Sequence, residues 1–248
     1  TRAELAQKSV DAILDFGEKG FPGILVETIA IFINNLAAPA NTKVFSLTHR
    51  LHLTQPQAYI FDPELPYWII YRNQLFDSVC RKLDFDVFEV FRDRQLTNKL
   101  LSSSGELRVL KSRNLSDDGK EILDIPGYDS YISYAAAKPL SVFQYLDAPN
   151  VYLTPNMTYK PRMMKKPPHC VVNGSLAILI PKGGIVPTEK QLAYFSSEEY
   201  RAFYQIARNF QTRSLNVDAC SVFFYGLLRD EAKPAPEKFD TSVQLSFL

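Results

Sequence analysis

The stretch 155–169, PNMTYKPRMMKKPPH, sets Lys160, Arg162, Lys165 and Lys166 within seven positions, beside Asn156, Thr158 and Tyr159. Arg and Asn can read guanine and adenine edges through paired hydrogen bonds, while Lys supplies charge to a phosphate. The prolines stiffen the loop, so less freedom is lost when a ligand orders it. A second group, RVLKSRN, holds Arg108, Lys111, Arg113 and Asn114. Residue 108 differs in parity from 111 and 113, so the three cations cannot share one strand face. The group reads as a strand ending in a polar turn, either reaching phosphate and base edges or lying on a solvated edge. Arg213, in RNFQTRS, extends the same basic character. A third place is Phe21-Pro22, just ahead of an apolar run. An aromatic there sits at a sheet edge, where its ring either stacks on a ligand or plugs the core.

Other chemistries lack their residues. There is no Gly-rich phosphate loop, no G-x-S-x-G, no H-E-x-x-H and no Cys–His motif of known spacing. Lys182-Gly183-Gly184 reads as a turn. Cys80, Cys170 and Cys220 are far apart and odd in number, which points to a reducing, intracellular setting. His49 and His52 have no Cys or carboxylate at ligand spacing, so no metal site is expected. No apolar run reaches the ~20 residues of a membrane helix, so no membrane partner is expected.

The 248 residues are 46% hydrophobic and 22% charged, a globular composition. The formal net charge of +1 hides an asymmetry: residues 151–213 carry nine Lys and Arg against three Asp and Glu. A basic segment inside a near-neutral chain suits a localised polyanion contact, or an ordinary solvated face.

Residues 9–15 and 24–34 read as apolar strands, the second continuous enough to be buried on both faces, as in a mixed sheet. Two strands cannot complete such a sheet. The chain opens without Met, directly in a regular pattern, and is expected to be a piece of a longer protein. LAAPANT, residues 36–42, shifts the composition and marks a candidate boundary. Further strands are expected over 43–53, 87–91, 107–110, 151–159 and 222–228. Helices are expected over 66–83, 94–101 and 196–210, the last capped by a Ser196–Glu199 box. Asn173-Gly174 between two apolar runs signals a hairpin.

These pieces together resemble the adenine-specific (N6) DNA methyltransferases of type II restriction–modification systems, with the match closest to the type IIS modification enzymes. The residues that carry the resemblance are DFGEKGFPGILVETIAIFI (15–33), RVLKSRN (108–114) with IPGYDSYI (125–132), and LTPNMTYKPR (153–162) with VNGSLAILIPKG (172–183). The resemblance implies an α+β chain: a mixed target-recognition domain preceded by the last strands of an α/β Rossmann-like methyltransferase sheet. Residues 1–37 are then the C-terminal edge of the catalytic domain, and 38–248 the domain that reads DNA sequence. It implies that Phe21 stacks on the flipped adenine. It implies double-stranded DNA as partner, a cognate restriction endonuclease as a further one, and a cytoplasmic setting. S-adenosylmethionine belongs to the parent enzyme. Its Gly-containing loop and the Asn-Pro-Pro-Tyr motif are absent here, since Pro167-Pro168 follows Lys166, so this piece is expected to bind no cofactor and to be inactive alone. The rival expectation is a protein-interaction module that docks a restriction subunit, suggested by the Tyr/Phe-rich helix.

Overall fold

The computed structural model describes residues 2–211 and 216–230. They form an α+β protein with several small sheets, divided into two compact units. Among the described residues, the first unit takes in 2–77 and 206–211, and the second 78–205 and 216–230.

The first unit runs α1 (Arg2–Ala6), β1 (Ser9–Gly17), β2 (Thr28–Asn34), β3 (Asn41–Ser46), β4 (Leu51–Pro56) and α2 (Gln57–Ile60). The strand order is β2-β1-β3-β4. β1 runs antiparallel to β2 and parallel to β3, and β3 and β4 are antiparallel. A parallel pair needs a crossover, and here the crossover contains β2 itself. Alternation buries Thr42, Val44 and Ser46 along β3. Val10, Ile13, Val44, Ile60, Ile69 and Phe76 form the core. The Gln57 side chain locks α2 to the start of β1, accepting from Val10 N and donating to Lys8 O, both at 2.7 Å. The one tryptophan, Trp68, stacks on Phe61 at 3.8 Å between ring centres.

Several expectations change here. Residues 37 and 38 lie between β2 and β3, which flank β1 in one sheet. The run 24–34 is a strand only from Thr28, and neither face is buried. Phe32 and Ile33, successive and so on opposite faces, are 55% and 42% exposed. The physical reason is position: β2 is an edge strand, paired to β1 alone. A turn splits 43–53 into β3 and β4. The helix expected over 66–83 is confined to α3 (Gln74–Lys82). The preceding backbone is claimed by the Asn209 amide, which accepts from Ile70 N and donates to Trp68 O, both at 2.9 Å.

The second unit continues with β5 (Leu83–Asp84), β6 (Phe88–Phe91), β7 (Leu107–Leu110), β8 (Ser130–Ile132), α4 (Tyr134–Ala137), β9 (Tyr152–Pro155), β10 (Met164–Lys165), β11 (Cys170–Val172), β12 (Leu176–Pro181), α5 (Glu189–Tyr194), α6 (Glu198–Ala207) and β13 (Leu227–Leu228). One antiparallel sheet has the order β10-β9-β12-β6, a second has β11-β7-β8, and β13 pairs with β5. Val109, Leu110, Ile132, Leu153, Val171 and Ile178 share a core cluster. Phe195, Tyr200, Phe203, Phe224 and Tyr225 are fully buried, each of order 1.5–3 kcal/mol relative to exposure.

Asn173-Gly174 makes a turn but not a hairpin. β11 leaves it to lie parallel to β7, whereas β12 pairs with β9 and β6. A Cβ on Gly174 would meet Asp93 O at 2.8 Å, so the glycine serves a close backbone approach. The helix expected over 196–210 begins at Glu198, where the Ser197 hydroxyl accepts from Tyr200 N at 3.1 Å. Glu199 does not complete a box; it takes the Lys82 ammonium and the Tyr194 hydroxyl instead. The capping box lies at α5, between Thr188 and Gln191. The strand expected over 222–228 is a 3-10 turn, Ser221–Phe224, followed by β13, and that over 151–159 shortens to β9. The helix expected over 94–101 is a 3-10 turn, Asn98–Leu100. Among the described residues no helix is long and apolar enough to cross a membrane, and no three His, Cys, Asp or Glu side chains gather to hold a metal ion.

Candidate nucleic-acid interface

In the first unit, β1 delivers the chain into the loop that carries Phe21. The loop is built tightly. Lys19 N donates to Phe16 O at 3.0 Å and Ile24 N to Phe21 O at 3.2 Å. A Cβ on Gly17 would stand 2.3 Å from Thr48 Oγ1, and one on Gly20 2.0 Å from Thr28 Oγ1. Phe21 itself is 56% exposed, so it does not plug the core. Its ring is available to stack.

In the second unit, β7 ends in the turn that was expected to hold cations at a polar rim. Asp129 organises it. Burial works against the charge of this carboxyl, but Ile125 N–H, the Asn114 amide and Arg108 hold it below the usual carboxylate range. Arg108 is bound internally, to Asp124 at 2.6 Å, Asp129 at 2.9 Å and Leu123 O at 2.8 Å. Asn114 is fully buried; it accepts from Lys111 N and donates to Leu123 O and Asp129 Oδ1. Lys111 donates to Tyr128 O and to Ser130 Oγ, and burial, with Arg113 adding, holds its ammonium below the usual lysine range. Arg113 is the exposed member. Its guanidinium lies 4.7 Å from the centre of the Tyr128 ring, and Lys111 Nζ lies 3.9 Å from the same centre.

The proline-rich stretch divides in the same way. Arg162 is buried, and its guanidinium donates to Lys160 O at 3.1 Å, Ser112 O at 3.2 Å and Leu115 O at 3.3 Å. Burial lowers its pKa. Lys166 is also buried, donating to Leu146 O at 2.8 Å and Pro167 O at 3.0 Å, and burial lowers its pKa too. Lys160 and Lys165 are exposed, and Lys160 stands 3.5 Å from Asp117 at the surface. Tyr159 beside them is 44% exposed.

The placement therefore divides the expected set. Arg108, Lys111, Asn114, Arg162 and Lys166 are engaged within the fold, because each finds carbonyl or carboxylate acceptors from a neighbouring loop. Arg113, Tyr159, Lys160 and Lys165 face solvent. Arg213 lies outside the described residues. Tyr128, Asp129, Tyr71 and Asp15 were not among the expected site residues. Nothing local in sequence marks Tyr71, whose partner lies 56 positions away. No protein-family model matches the chain, and no curated protein matches it.

Proposed function

We propose that this chain reads duplex DNA as the specificity part of an adenine-specific (N6) DNA methyltransferase of a type II, type IIS-like restriction–modification system. In this reading β1 and β2 belong to the last strands of its Rossmann-like catalytic sheet. The observation that carries the reading is Phe21: an exposed ring at the tip of a loop pinned on both sides. Methylating a base inside a duplex requires flipping it out, at a cost of a few kcal/mol. A stacking ring offsets on the order of 1–3 kcal/mol of that. Support also comes from Arg113 over Tyr128 and from the exposed trio Tyr159, Lys160 and Lys165, which suit backbone contact and base stacking.

In this reading S-adenosylmethionine is held by the parent enzyme. The glycine-bearing loop after β1 packs Gly17 and Gly20 against Thr48 and Thr28 and leaves no cradle. Methyl transfer belongs to the parent enzyme, in the cytoplasm.

Titration against duplex DNA at several salt concentrations tests this. Binding should weaken linearly in log K against log salt, with a slope of about −0.9 per phosphate contacted. Salt-independent binding, or none, overturns the reading.

A second reading is favoured by one specific observation. Leu25, Ile29, Phe32 and Ile33 present an uncovered apolar edge, which suits docking of another polypeptide such as a restriction subunit. The Tyr/Phe-rich helix does not support it, since Tyr200, Phe203 and Tyr204 are buried in their own unit. A Phe32→Glu variant that keeps DNA binding but loses subunit capture separates the two.

A further inference from the structure

We infer that Tyr71 is a positioning residue whose hydroxyl, bonded to the buried Asp15 carboxylate, fixes the loop that presents Phe21 to an incoming base. The inference rests on the reading above that Phe21 stacks on a flipped adenine.

Asp15 lies at the end of β1, opposite Ser46 of β3 in the parallel register. Its carboxylate gathers three donors. Oδ1 accepts from the backbone N–H of Gly17 at 2.8 Å. Oδ2 accepts from the Tyr71 hydroxyl and, at the long distance of 3.4 Å, from Ser46 Oγ. Gly17 opens the loop with φ +53, a backbone state that favours glycine. One carboxylate thus joins the first residue of the loop, the neighbouring strand and a distant tyrosine.

Tyr71 is almost fully buried. Burial, with the Asp15 bond adding, raises its pKa far above the ordinary phenol range, so the hydroxyl stays protonated and donates. A buried carboxylate depends on its donors. Without the phenol, Oδ2 keeps only the long Ser46 contact, and the hold of Oδ1 on Gly17 loosens with it. The other fastenings are Thr28 and Thr48, packed against Gly20 and Gly17. A loop already ordered in the free protein loses little further freedom when a base arrives.

The test uses the whole chain and duplexes that it enriches from a random-sequence pool, with 2-aminopurine replacing each adenine in turn. Failure to enrich any duplex overturns the functional reading, and this inference with it. With an enriched duplex, the native chain should raise 2-aminopurine fluorescence at one position. Tyr71→Phe should bind that duplex within about twofold of the native chain, yet lose about fivefold or more of the fluorescence rise. In the free protein the amides of Gly17, Lys19 and Ile24 should exchange about tenfold faster. Should Tyr71→Phe fail to fold, Asp15→Asn replaces the charged acceptor of the Tyr71 hydroxyl with a neutral amide, weakening that bond while keeping an acceptor for Gly17. Native fluorescence and native exchange in a folded variant overturn the inference while leaving DNA reading intact.

Discussion

The guanidinium of Arg162 donates to the carbonyl oxygen of Leu115 at 3.3 Å from a position closed to solvent. With Ser112 O and Lys160 O it binds three carbonyls from two loops. The most conspicuous cation of the basic stretch is therefore a brace, and the surface it supports is formed by its neighbours.

Arg162→Ala should act on stability before binding. Three carbonyls lose their donor, that of Leu115 in a buried bond, and the expected cost is about 2–4 kcal/mol. Arg162→Lys should restore only part of this, because a single ammonium cannot span the fork. Lys160→Ala and Lys165→Ala should stay within about 0.5 kcal/mol of native stability. Each should lower the salt slope of DNA binding by about 1. Denaturant melts and salt titrations of the four variants check the contrast.

Phe21→Ala should leave the melting point unchanged, since the ring is exposed. It should weaken capture of a flipped base by about 1–3 kcal/mol. Comparing affinity for intact duplex with affinity for a duplex mismatched at the enriched adenine measures this, because the mismatch lowers the flipping cost.

The apolar edge strand should make the chain self-associate. β2 carries no charged residue between Thr28 and Asn34. Phe32→Glu should keep the fold and reduce self-association, read by light scattering across a concentration series. Unchanged scattering would place the association elsewhere.

Acid should remove the stability that the Asp129 turn contributes. Its carboxyl titrates below the usual range in the folded state, so the stability it contributes is full above an unfolded value of about 3.9. That stability fades as pH falls through the folded value. Asp129→Asn should lower the melting point at pH ~6 and show a shallower decline between pH ~4 and ~2. Parallel decline in both proteins would contradict the assignment.

Much of the regular structure was legible in sequence where it depends on neighbours along the chain. β1, β6, β7, β11 and β12 follow from short apolar runs bounded by turn residues. What local pattern does not encode is partnership. The apolar run 24–34 looks buried by composition, yet edge position exposes it. Asn173-Gly174 reads as a hairpin, yet its two strands join different sheets. The same limit governs the candidate site. Residue type identified the aromatic at Phe21 and the cationic stretches, but Arg162 and Lys160 look alike in sequence. Which one turns inward depends on the carbonyls that the 112–115 turn brings to it. The Asp15–Tyr71 pair, 56 positions apart, has no local signature at all.

Trp68 is the chain's single indole and stacks on Phe61 inside the first unit. Its emission on denaturation is therefore a built-in gauge for that unit alone. The other unit, dense in phenol rings, stays dark to selective indole excitation and must be followed by circular dichroism. Noncoincidence of the two traces would reveal, with no label attached, whether the halves melt in one cooperative event or in two.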